Sequence, residues 1–70
     1  MTFTVHVNGE PRDLAEGTTV GAVVASFGAE RARRGVAVAV DAEVVPRTQW
    51  ERRELQAGER VEVLHAIQGG

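Results

Sequence analysis

The residues able to do chemistry in this chain are few. There is no cysteine, which removes thiolate nucleophiles, disulfides and thiolate metal sites. All eight basic residues are arginine, so no ε-amine is present to form a Schiff base or to accept an isopeptide bond. The one serine, Ser26, has no visible triad around it. His6 and His65 are the only histidines, too few for a metal site, and no metal is expected. His6 falls on an outward face, where a solvated imidazole is the default. The closing Gly69-Gly70 offers a different kind of group, the terminal carboxylate of Gly70. A terminal carboxyl has a pKa of roughly 3.5, so it is ionised and unreactive at neutral pH. It reacts only inside another protein's active site. Glycine lets a backbone pass a channel that any Cβ would block. The tail Ile67, Gln68, Gly69 and Gly70 can reach at most about 13 Å, enough to thread such a channel. Taken alone, the Gly-Gly pair fits a frayed terminus equally well.

Seventy residues make one domain. A chain this short buries only about 60% of the surface that its unfolded form exposes. A core leaves little space for a pocket of roughly 300 Å³ or more as well. A module that works with a larger partner is the better expectation, and a stand-alone enzyme is not expected. The net charge of −2 and the scattering of arginines among ten acids argue against nucleic acid. The densest basic run, Arg31-Ala32-Arg33-Arg34, reads as a solvated helix end or loop. No apolar run reaches membrane-spanning length and the N-terminus lacks a signal-peptide pattern. The expectation is therefore a cytoplasmic protein with no membrane partner.

The elements that must hold the tail can be read from periodicity. Residues 2–8 alternate, with Phe3, Val5 and Val7 on one face and Thr2, Thr4, His6 and Asn8 on the other. Asn8-Gly9 signals a hairpin. Residues 10–14 return as a strand whose Pro11 suits an edge. Thr18 or Thr19 caps a helix whose stripe is Val20, Val23, Val24 and Phe27, closed by Gly28. Gly21 inside that helix costs about 1 kcal/mol relative to alanine, so a packing reason for it is expected. Residues 29–35 read as a loop. Val36–Val40 is a strand, with Ala37 and Ala39 on the face opposite its valines. Asp41-Ala42-Glu43 turns into a short strand at Val44 and Val45. Residues 46–50 suit a single helical turn opened by Pro46, and Leu55 is buried within a further turn. Residues 60–66 form the last strand, Val61 and Val63 inward, Glu62 and Leu64 outward. One helix covers only one sheet face. The economical solution is an α+β fold of the β-grasp, ubiquitin-like kind. It has a mixed sheet of four to five strands, the first and last side by side. The domain spans residues 1–66, followed by a flexible tail at 67–70.

Several segments then resemble one family, the thiamine-biosynthesis sulfur carriers (ThiS). They are Val7-Asn8-Gly9-Glu10, Gly17-Thr18-Thr19-Val20, Val36-Ala37-Val38-Ala39-Val40, Val45-Pro46-Arg47-Thr48-Gln49-Trp50, Leu55, Gly58, Val61-Glu62-Val63 and the closing Gln68-Gly69-Gly70. The Val-Pro-Arg-x-x-Trp segment is the most specific; the Gly-Gly end is common to ubiquitin-like relatives. Asp41 departs from the pattern, which more often has asparagine there, and His65 is also atypical.

The resemblance implies a carrier that is a substrate of partner enzymes and binds no cofactor itself. A ThiF-like adenylyltransferase uses ATP and magnesium to adenylate Gly70. Sulfur from a cysteine-desulfurase pathway converts it to a thiocarboxylate, which donates sulfur to a ThiG-like thiazole synthase. Related carriers feed molybdopterin, cysteine or secondary-metabolite synthesis, and a ubiquitin-like modifier of other proteins is a further alternative. Parity alone offers a docking patch of Ala37, Ala39, Leu64 and Ala66 beside the tail. Arg47 is expected to anchor its turn, and Trp50 to cap the edge of the core.

Overall fold

The computed structural model describes residues 1–26 and 35–65. The expected cap at Phe27 and Gly28, the loop at 29–34, and Ala66 through Gly70 lie outside these residues. Five strands follow one another as β1 (Thr2–Val7), β2 (Glu10–Ala15), β3 (Val36–Val40), β4 (Glu43–Val44) and β5 (Arg60–His65). A helix, α1 (Val20–Ser26), lies between β2 and β3, and a 3-10 turn (Arg47–Gln49) precedes β5. The sheet order is β2-β1-β5-β3-β4. β1 and β5 are parallel neighbours, and the other pairs are antiparallel. This is the mixed-sheet β-grasp that the element order predicts.

Both hairpins turn in two residues, and both turns need positive φ. Asn8 and Gly9 stand at +51° and +85° between the paired residues Val7 and Glu10. Asp41 and Ala42 stand at +51° and +70° between Val40 and Glu43. Such mirror-image turns match the right-handed twist of the strands they join.

At seven residues, α1 is too short to persist alone. Three contacts satisfy its first amides. Thr19 Oγ1 accepts from the Ala22 amide at 3.2 Å, making it the cap. The Val20 and Gly21 amides donate to the carbonyls of Arg53 and Trp50, each at 2.9 Å. That second chain segment lies close across the helix start, beside Gly21. A Cβ there would come within 2.5 Å of Glu51 Oε2, so alanine would push the Glu51 carboxylate aside.

Val20, Val23 and Val24 press onto the sheet face carrying Val5, Val7, Val38, Val40, Val61 and Val63. Trp50 departs from expectation. It is only 1% exposed and lies within the core instead of at its edge. Its indole N–H would be unsatisfied there, and it donates to the Val45 carbonyl at 2.9 Å. Leu55 is buried as expected, held where its amide donates to the Thr18 carbonyl at 2.9 Å. Arg53 and Glu59 pair at 2.8 Å, and Glu59 also accepts from the Gln56 amide at 2.7 Å, tying the loop that leads into β5.

Candidate functional site

The tail Ile67, Gln68, Gly69 and Gly70 and the neighbouring Ala66 lie outside the described residues, so the site is built from the strand that carries them. β5 is anchored by Val61 and Val63, at 1% and 5% exposure. Alternation then forces Leu64 outward, where it is 59% exposed. Leu64 stands directly opposite Ala37 on β3. Ala39 stands opposite Glu62 on one side and Val44 on the other. Three of the four residues expected in the patch therefore share one face beside the root of the tail. Ala37 is exposed and Ala39 half-buried.

Val44 belongs to the same face and is 75% exposed, a large apolar side chain that sequence parity did not single out. In a two-residue strand there is no period to read. The structure decides it: the Val45 amide donates to the Val38 carbonyl at 2.8 Å, Val45 enters the core, and Val44 must face out. The patch thus runs across three strands from Val44 through Ala39 and Ala37 to Leu64. Toward β1 the same face becomes polar. His6 pairs with Arg60, and a shallow depression of about 330 Å³ there is lined by His6, Gly9, Arg60, Val61 and Glu62. The face is therefore apolar from Val44 to Leu64 and polar toward β1.

Two hairpin turns also reach β5 through their side chains. Asp41 Oδ1 accepts from the Arg60 amide at 2.9 Å, while the Asp41 amide donates to the Arg60 carbonyl at 2.7 Å. Asn8 Oδ1 accepts from the Val63 amide at 2.9 Å, and Asn8 Nδ2 donates to the Val63 carbonyl at 3.3 Å. The sequence marks Asn8 as an outward-facing residue at a turn, and nothing in its spacing signals this second role. Arg47 is exposed, and its carbonyl accepts from the Trp50 amide at 3.2 Å. Among the described residues, no group of three or more His, Asp or Glu could hold a metal ion, and no helix is long and apolar enough to cross a membrane.

A five-stranded β-grasp whose last strand carries the chain out beside an apolar face defines a ubiquitin-like protein. Within that class the assignment is specific: residues 5–70 match the ThiS family, and the chain belongs to it. A crystal structure of a thiamine biosynthesis protein (ThiS) from Geobacter metallireducens is similar, with 27% identity and a TM-score of 0.78. The match covers 97% of this chain and 100% of that one. No curated protein matches.

Proposed function

We propose that this chain is a cytoplasmic sulfur carrier in thiamine biosynthesis, and that its reacting group is the Gly70 carboxylate. The observation that carries the reading is membership of the ThiS family over residues 5–70, a match that runs through the Gly-Gly end. The chain is a substrate of its partners and not itself an enzyme. A ThiF-like adenylyltransferase, with ATP and magnesium, joins AMP to the carboxylate and releases pyrophosphate. A persulfide from a cysteine-desulfurase pathway attacks the activated carbonyl and expels AMP. Cleavage of the new S–S bond by a thiol leaves a thiocarboxylate, which a ThiG-like thiazole synthase consumes. The partners supply the catalysis, and this chain supplies a reactive end on a recognisable body. Leu64, Ala37, Ala39 and Val44, with Ala66 beyond them, form the docking face. Gly69, Gln68 and Ile67 thread the partner's channel.

Intact mass tests the reading. Purified protein mixed with its host's adenylyltransferase, magnesium-ATP and a persulfide source should gain an adenylyl group, then exchange a terminal oxygen for sulfur. Deleting Gly70 should abolish both changes while leaving thermal unfolding unaltered. An unchanged mass for the intact chain beside an active adenylyltransferase would overturn the assignment.

A further inference from the structure

β5 is unequally supported along its length. On the β1 side its ladder is short, with only His6↔Arg60 and Val7↔Val61 in register. The last backbone bond on that side runs from the Asn8 amide to the Val61 carbonyl at 2.8 Å. There the chain turns away into β2, although β5 continues to His65. Val63 would then present an N–H and a C=O to a neighbour that has left. The Asn8 side chain takes that neighbour's place. An amide group offers one acceptor and one donor spaced like a peptide unit, and Asn8 uses both on Val63. Its φ of +51° is tolerated best by glycine, asparagine and aspartate, and only asparagine also brings the amide.

We infer that Asn8 is a positioning residue for sulfur transfer: its amide completes the parallel ladder at Val63 and so holds the end of β5, the strand from which the tail continues, against the sheet. The inference rests on the carrier reading. Val63 is two residues from the end of β5, and Leu64, on the docking face, follows it directly. A body that docks correctly still presents Gly70 to a partner's active site only if the strand beneath the tail keeps its aim. Small errors of aim at a reacting group cost rate more than binding.

Asn8→Gly is the informative variant, because glycine accepts the positive φ and keeps the two-residue turn while removing both side-chain bonds. Asp41→Gly is its control. It removes the comparable side-chain bond at the start of β5, away from the tail, and glycine suits that φ equally. In Asn8→Gly the Val63 amide should exchange with solvent roughly tenfold faster. Adenylation should lose about tenfold in kcat with KM for the carrier within about twofold, the split expected when aim is lost and docking retained. Asp41→Gly should keep wild-type kcat. Wild-type kcat in Asn8→Gly, or equal losses in both variants, would overturn the positioning role. If the wild-type chain itself is never adenylated, the carrier reading fails and the positioning role fails with it. Val63 exchange would then report on the ladder alone.

Discussion

Ala42 stands at φ +70°, directly after Asp41 at +51°, in the turn between β3 and β4. Left-handed backbone brings Cβ against the carbonyl oxygen, at roughly 1–2 kcal/mol for an ordinary residue. Ala42→Gly relieves that conflict and restores some freedom to the unfolded chain, so the net gain should be about 0.5–1 kcal/mol. A urea titration reads it as a higher midpoint with an unchanged slope. At this scale the sequence was legible where residue chemistry is unambiguous. Asn8-Gly9 announces its turn because both residues favour positive φ. Asp41-Ala42 hides the same turn type, since alanine is no signal for it. Trp50 marked the most specific segment of the chain, yet its burial rests on a bond back to the Val45 carbonyl, at the start of that same segment, which residue type alone does not announce.

The strands were legible as elements because half-buried strands alternate. Val5 and Val7 on β1, Val38 and Val40 on β3, and Val61 and Val63 on β5 are each buried at every second position. The same alternation identified Leu64, Ala37 and Ala39 as outward. It could not orient β4, which is too short to show a period. On this face, Leu64→Asp should leave folding intact, because the side chain is already 59% exposed. In the proposed complex it would bury a charge against an apolar partner surface, which should raise KM for the carrier by at least about tenfold. Adenylation rates measured against carrier concentration test this, and an unchanged KM would remove Leu64 from the docking face. The contrast with Asn8→Gly separates the two functions proposed for β5, recognition through the face that carries Leu64 and positioning through the side that faces Asn8.

The molecule as a whole rests on a small core. Among the described residues twelve hydrophobic side chains are buried, and ten of them are valine. Valine is stiff and packs well on a pleated surface, but each contributes little volume. Trp50 is therefore the largest single piece. Trp50→Ala should cost about 3–5 kcal/mol. A domain of this length holds only about 0.05–0.15 kcal/mol per residue in total. The variant should lose its cooperative thermal transition or show it near room temperature, which circular dichroism will read.

The parallel pairing of β1 with β5 has a practical corollary. Met1, whose carbonyl accepts from the Glu16 amide at 3.1 Å, stands at the opposite end of the sheet from the hairpin tip at Asn8-Gly9. β5 runs in the same direction as β1 and continues beyond that tip. A polypeptide fused ahead of Met1, or a bead coupled there, would hang from the rear of the molecule and leave clear the end of β5, where the proposed reacting tail begins. An insertion at Gly9 would stand beside it.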